Sequence, residues 1–580
     1  MLNETVAKVE FAGLSDRTGP LSFGLMNMLR SIIVNDDASD LSLTSVLTVP
    51  VGTELSTIEN AVRTLVERHE SLRTRYTLTP GIGPDSLQRV SGKGVLEIPL
   101  VAGEGNPAEA ALEIAKVLRC KPLKLSEDFP IRFTVVSHGD SISRVVCAVS
   151  HTSMDATSWE ILLEEWSALM TGAELPPSTA LQPLDLVELE GRSAIRRLTD
   201  GALRHWGARM RSVPQAALAV PGLLSETPAT GRQRGLRLAS PSAAKHLAAA
   251  AERMRVSQSI VLLSALGALV SQYADEPQCP VTTLSANRML PELADYFGTL
   301  SQDAIMQLDR GTASTFDELT WACRGEAVRA YRSSWFNPMR AWEVINKAGT
   351  DRGGVFARDL VYNDLSGLAR RDRSTAEQFF PGIRETGALE QSWTHDEDLD
   401  LQLSWLPEES LPSRIMLIAY QTDSVLDLSL WVDDRVFSMA ERTDFARSLV
   451  RVLRKAAEGD FPLAELSDLS DLKPVERDAR WARSDATWVH LDAIDQLVAT
   501  VLGDVRHSVV PESDEQLSNR LVCHLSGVEQ IPADIHSRMM KALPGHPLAI
   551  APQHYVLHSD EPTDGESWND KPVLAESSGR

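Results

Sequence analysis

Cysteine is scarce and scattered: Cys120, Cys147, Cys279, Cys323 and Cys523 stand singly in 580 residues, with no short spacing between any two. Zinc cages and disulfide frameworks need closely paired cysteines, so neither is indicated, and the chain reads as reduced and cytoplasmic. Basic charge is also short. Against 57 Lys and Arg stand 80 Asp and Glu, a formal charge of −23. A nucleic-acid groove needs a basic face, so nucleic acid is excluded as the default partner. No apolar run approaches the length that spans a bilayer, and residues 1–11 mix Asn3, Glu4, Lys8 and Glu10 with single apolar residues, so neither a membrane span nor a signal segment is expected.

What is present is ordinary globular material, 43% hydrophobic and 24% charged, enough for three or four folding units. Ser42 to Val51 has a strand pattern, and Ile58, Ala61, Val62, Leu65 and Val66 give Leu55 to Glu67 helical spacing. Two strand-like runs between Ile131 and Ser150 flank a turn at His138-Gly139-Asp140. A helix follows at once: Thr157 and Glu160 have capping-box spacing, and Ile161, Leu162, Leu163, Trp166, Leu169 and Met170 form its apolar stripe.

The proline-rich stretch Glu174 to Pro183 predicts a hinge. Beyond it, Arg192, Arg196, Arg197, Arg204, Arg209 and Arg211 form a cationic cluster, read as a solvated helix face, with docking of an acidic partner as the sharper alternative. A second cycle comprises a helical stretch from Ala243 to Tyr273, a strand from Val281 running into a loop at Arg288, a helix from Thr315 to Tyr331, the strands MLIAYQ and LDLSLWVDD, and a helix from Asp444 to Ala457. No short-period repeat is visible. The pattern predicts an α+β pair of similar lobes rather than a doubly wound parallel sheet.

The residues best suited to chemistry are His151 and Asp155, four apart on the expected strand-to-helix turn. A histidine there can accept a proton from an attacking amine or hydroxyl if its ring is held in one tautomer. By itself the pair is better explained as a hydrogen-bonded turn. Two ligands are too few for a metal.

Longer motifs narrow the choice. Arg68-His69-Glu70-Ser71-Leu72-Arg73-Thr74-Arg75, followed by Tyr76, matches an RHExLRTxF pattern, and Lys121 to Val136 matches a PFDL…PLLR approach to a catalytic strand. Ser150-His151-Thr152-Ser153-Met154-Asp155-Ala156 matches HHxxxDG with Ser for the first His and Ala for the Gly. Ala286-Asn287-Arg288 matches ANR, and Phe297 to Gln302 matches GxFVNT, with Gly298 the identical residue. In these pieces, between Pro20 and Leu472, the chain resembles the condensation domains of nonribosomal peptide synthetases, in the acyltransferase superfamily of chloramphenicol acetyltransferase. It departs from them at Ser22 to Asn27, which lacks the Gln and Arg of the family's SxAQxR motif, and at Pro183 to Leu186, where an aromatic motif is reduced. Leu491 to Leu574 resembles the small C-terminal subdomain of adenylation enzymes. There Glu566 follows Gly565 where a catalytic Lys is usual, Lys571 is a displaced alternative, and the large ATP-binding subdomain is missing, which points to a relic or docking module.

The resemblance implies two chloramphenicol acetyltransferase-like lobes in a V, residues 1–178 and 185–474, with the active site in a tunnel between them, and a small α+β module over 488–580. It implies His151 as general base or positioning acceptor. Asp155 is expected to be structural, paired with Arg288 or, failing that, Arg73, with Gly298 in support. Backbone amides around Ala156 would face the oxyanion. Ser150 would offer a minor hydroxyl or simply end its strand with a backbone hydrogen bond. No bound cofactor is expected. The acyl group would arrive on the 4'-phosphopantetheine of a separate carrier protein, since the chain has no LGGxSL-like segment, and pass to an amine or alcohol. An acyl-CoA-dependent transferase and an inactive scaffold are the competing readings.

Overall fold

In the computed structural model, residues 5–34, 42–103, 106–139, 141–224, 232–368, 394–411, 413–515, 518–563 and 566–580 are described. Asp140, in the expected turn, and Gly565 lie outside them.

The first lobe is built on five strands. They are β1 (Thr5–Phe11), β3 (Ser42–Thr48), β6 (Gly94–Ala102), β7 (Ile131–His138) and β8 (Ser141–Ser150), in the spatial order β1-β6-β7-β8-β3. Only the β6–β7 pair is parallel. β8 is buried without a break from Val145 to Ser150, as a strand covered on both faces must be. A small sheet of β2 (Arg17–Pro20), β5 (Leu87–Val90) and β4 (Thr74–Thr77) stands beside it. Among the described residues four helices complete the lobe: α1 (Phe23–Val34), α2 (Leu55–Arg68), α3 (Pro107–Cys120) and α4 (Ala156–Met170). The stripe that predicts α2 is the face it buries.

Residues 174–182 carry no helix or strand, and α5 (Pro183–Glu190) and α6 (Ser193–Ser212) follow. Among the described residues the second lobe holds eight strands, in the order β11 (Gln302–Asp309), β10 (Gln278–Ser285), β12 (Leu360–Asp364), β15 (Ile415–Gln421), β16 (Leu426–Val432), β9 (Arg232–Ser240), β14 (Leu401–Ser410) and β13 (Thr394–Asp396). β12 runs parallel to both neighbours; the other pairs are antiparallel. Its helices are α7 (Pro241–Met254), α8 (Gln258–Tyr273), α9 (Phe316–Arg332), α10 (Pro338–Arg352) and α11 (Met439–Glu458). The helical stretch expected over Ala243–Tyr273 is two helices bent by 102°. Arg255 takes the left-handed conformation that closes α7, and Ser257 accepts from the Ile260 N–H to start α8. Among the described residues no single helix is long and apolar enough to cross a membrane.

The C-terminal module opens with a hairpin of β17 (Trp481–Ser484) and β18 (Thr487–His490). It continues as α12 (Leu491–Leu502), β19 (His507–Asp514), β20 (Ser518–Ser526), α13 (Pro532–Ala542), β21 (His554–His558) and β22 (Val573–Ser577), the last four strands forming one sheet. Its core is continuous with that of the second lobe: Leu266, Leu430, Val489, Leu497 and Tyr555 belong to one apolar cluster. The seam between the lobes is apolar too. Val145, Trp159 and Leu162 of the first share a cluster with Phe297, Val361, Met416 and Trp431 of the second.

Candidate active site

At the end of β8 the chain must reverse into α4 while buried, and polar groups of the turn pair with one another. The Ser153 N–H donates to the Ser150 carbonyl at 2.9 Å, and the Ser150 and Thr152 hydroxyls share a 2.8 Å hydrogen bond. Asp155 caps α4: its Oδ1 accepts from the Ser158 N–H and from the Ser158 hydroxyl, both at 3.1 Å. The cap is therefore Asp155, not the Thr157 that capping-box spacing suggested. Asp155 stands in the extended conformation an N-cap needs, whereas Thr157 is already inside the helix.

His151 occupies the apex. Its Nδ1 lies 2.8 Å from the Met154 carbonyl oxygen. A carbonyl can only accept, so in the neutral ring Nδ1 carries the hydrogen and Nε2 keeps a lone pair. Among the described residues Nε2 has no hydrogen-bond partner. Burial draws the ring's pKa below the ordinary histidine value, against the opposing pull of Asp155 and the turn's backbone. The ring is thus neutral at pH 7, held in one tautomer, with its basic nitrogen available.

The second lobe completes the turn. Arg288 reaches Asp155 with Nη1 and Nη2, each 2.8 Å from a carboxylate oxygen. The Leu300 N–H and the Ser301 hydroxyl donate to the same carboxylate at 3.0 and 3.2 Å. Burial alone would raise the Asp155 pKa; Arg288 and these hydrogen bonds outweigh it and hold the group below the usual carboxylate range. Asn287, at φ 53°, turns the chain so that Arg288 points across the seam, and Asn287 Nδ2 donates to the Leu300 carbonyl at 3.0 Å. The Thr299 hydroxyl donates to the His151 carbonyl at 2.6 Å, and the Gly298 N–H to Ser158 Oγ at 2.9 Å. Space is minimal: a Cβ on Gly298 would lie 2.6 Å from the Tyr296 ring, and one on Gly24 would lie 2.2 Å from the Thr299 carbonyl oxygen.

Of the residues singled out in the sequence, His151, Asp155, Arg288 and Gly298 converge here. Ser150 and Ala156 sit in the same turn. The Ser150 hydroxyl is buried against Thr152, pairing with its hydroxyl and accepting from its backbone N–H at 3.3 Å, and Ala156 opens α4, whose first-turn N–H groups have no intrahelical partner and form its positive end. Arg73 is elsewhere, donating to the Ser91 carbonyl at 2.8 Å and lying 3.6 Å from Glu70. Lys571 is engaged by Glu566, whose carboxylate that contact draws down to about 2.

Four participants escape a reading of the sequence. Thr299 and Ser301 act through a loop whose partners are about 150 residues away. His69, inside a recognised motif, is buried with its ring stacked on Phe297 at 3.9 Å and Nε2 2.6 Å from Glu165. Glu190 is buried at the junction of the lobes, accepting from the Phe23 N–H at 3.0 and 3.1 Å and from Trp335 Nε1 at 3.4 Å. Burial pushes its carboxyl up to about 8. The available signal is position: Glu190 falls four residues after Leu186, on the buried face of α5.

A family model described as condensation domain matches residues 31–477. Phosphinothricin tripeptide synthetase PhsC of Streptomyces viridochromogenes is 25% identical over 353 residues, 57% of this chain and 31% of that protein. A linear gramicidin synthase of Brevibacillus parabrevis is 24% identical over 329 residues, 54% of this chain and 4% of that protein. The chain thus spans less than a third of the length of these relatives. Among solved structures, the X-domain from teicoplanin biosynthesis superposes with a TM-score of 0.58 at 17% identity, covering 78% of this chain and 98% of that one. The first condensation domain of the CDA synthetase gives 0.56 at 14%, covering 77% and 98%. At these identities the structural likeness establishes the fold, the two-lobed chloramphenicol acetyltransferase-like one.

Proposed function

The chain belongs to the condensation-domain family of nonribosomal peptide synthesis, and from that premise we propose that it is an acyltransferase moving an acyl or aminoacyl group from a carrier-bound thioester to an amine or alcohol. The observation that carries this reading is Nε2 of His151, without a hydrogen-bond partner among the described residues, its tautomer set by the Met154 carbonyl.

In the reaction, the nucleophile's N–H or O–H donates to Nε2 and its lone pair attacks the thioester carbon. The new C–N or C–O bond forms, the proton passes to the imidazole, and the carbonyl oxygen gains charge near the positive end of α4. Collapse of the intermediate breaks the C–S bond, and the imidazolium returns its proton to the departing thiolate. A base with a depressed pKa is unprotonated at neutral pH and ready for the first step. A thioester is already activated, so alignment of two tethered reactants supplies much of the rate, and no bound cofactor is required. The Asp155–Arg288 latch does not touch the reacting atoms; it holds the turn that presents the ring.

The test is incubation of the full chain with a panel of acylated holo carrier proteins and candidate amines and alcohols, read by mass spectrometry. Acylated product formed only with carrier-bound donors supports the proposal. Equal product from free acyl-CoA would assign the CoA-dependent reaction instead, and no product from any donor would leave a scaffold.

A further inference from the structure

The cationic cluster of the sequence is not used by this chemistry. It folds into α6, where Arg197, Arg204 and Arg211 are exposed and spaced seven residues apart. Two helical turns separate successive members, so the three guanidinium groups form a ridge about 21 Å long on one helix face. Among the described residues no carboxylate pairs with any of them, or with the exposed Arg192 and Arg196 at the start of the helix. In a chain of net charge −23, such a ridge is an exception.

The flanks tie it to its surroundings. On one side Asp200 pairs with Arg340 of α10 at 2.7 Å; on the other Arg209 pairs with Glu326 of α9 at 2.5 Å, and Arg329 pairs with the same carboxylate. The carboxylates of Asp200 and Glu326 are thereby paired away from the ridge. Leu198, Trp321 and Val328 are large apolar side chains left exposed on α6 and α9. The helix that carries the ridge starts at the seam. Ile195, one turn from Arg192, shares an apolar cluster with Tyr296 and Leu300, whose segment holds Asp155, and α10 meets the first lobe where Arg30 stacks over Trp342 at 4.0 Å.

We propose that the Arg197–Arg204–Arg211 ridge is the docking surface for the carrier protein, which meets it with an acidic face of complementary charge. This rests on the reading of the chain as a carrier-dependent acyltransferase. Opposite charge speeds encounter and sets orientation more than it tightens the final complex, so the ridge should act on capture of the donor and leave the bond-forming step alone.

The experiment compares the wild-type chain with R197E/R204E/R211E and with the charge-matched control K93E/K121E/K473E, all exposed sites. Circular dichroism and thermal unfolding establish that all three are folded. Acyl transfer is measured from acylated holo carrier proteins and from the same acyl group on N-acetylcysteamine. The ridge variant should raise KM for the carrier-bound donor roughly 10- to 100-fold, with kcat within about twofold, and leave the small thioester unaffected. The control should match wild type, and 0.5 M salt should remove the difference, because screening shortens charge interactions to a few ångströms. Unchanged KM for carrier-bound donors, or equal loss with both donors, overturns the docking surface. If neither donor reacts with wild type, the acyltransferase reading has failed, and docking is then decided by biolayer interferometry on the immobilised holo carriers. Binding by wild type that the ridge variant loses upholds it. Equal binding, no binding, or preference for a mixed-sequence DNA duplex overturns it.

Discussion

Arg288 of the second lobe meets Asp155 of the first through two nitrogens, each 2.8 Å from a different carboxylate oxygen, and their side chains are 7% and 1% exposed. One ion pair therefore both caps the helix behind the proposed base and joins the lobes. Removing either partner leaves a buried charge uncompensated. Asp155→Ala and Arg288→Ala should each lower stability by about 3–5 kcal/mol, and the double variant should cost clearly less than their sum. Urea unfolding measures this, and strict additivity would show that the two side chains are not coupled.

His151 and Ser150 should separate sharply. His151→Ala removes the only group in the turn with an available lone pair of suitable basicity, so turnover should fall by roughly 10²–10⁴-fold with the thermal unfolding curve unchanged. Ser150→Ala breaks a hydroxyl pair with Thr152 and should change turnover by no more than about threefold. Steady-state kinetics on the two variants decides. Ser150→Ala matching His151→Ala would place the proton acceptor at the wrong residue.

Glu190 makes stability depend on pH. Its carboxyl is raised from the ordinary 4.5 to about 8 in the folded chain, so between those values the native state holds a proton that the unfolded state has lost. The stability it confers is complete below about pH 4.5 and declines as pH rises to about 8, by about 1 kcal/mol per pH unit. Glu190→Gln keeps the shape and cannot ionise. Its stability relative to wild type should be near zero at pH 4.5, grow steadily to pH 8 and level off above. Chemical denaturation across pH 4.5–9 checks the trend, and parallel curves would contradict it.

Gly24→Ala tests the closeness of the lobes. The added methyl would lie 2.2 Å from the Thr299 carbonyl oxygen, a backbone atom that cannot step aside alone. Overpacking should cost about 1–3 kcal/mol and, by shifting the 296–302 segment, lower turnover as well. A variant with both wild-type stability and wild-type rate would show that the seam gives way freely.

Much of the local structure is legible because helical and strand periods are short-range. The buried stripe of α2, the unbroken β8 and the exposed arginines of α6 all follow from residue spacing. Ala243–Tyr273 reads as one helical stretch because both halves are apolar, and the break depends on the αL turn at Arg255 and the cap at Ser257. Thr157 imitates a cap because its spacing to Glu160 fits the capping-box rule, while the residue that starts the helix is the Asp155 already required by the turn. Glu190 is invisible, since a glutamate in a short amphipathic helix is ordinarily solvated, and only the meeting of Phe23 and Trp335 around it removes water.

The amino-acid order by itself determined that a histidine would end a buried strand at the mouth of a helix, because hydrophobic period and turn chemistry act over a few residues. Which arginine would reach Asp155 and which loop would close on the turn were decided only when two lobes packed together. Those choices depend on distances between residues 130 to 150 apart along the chain, and no local pattern encodes them.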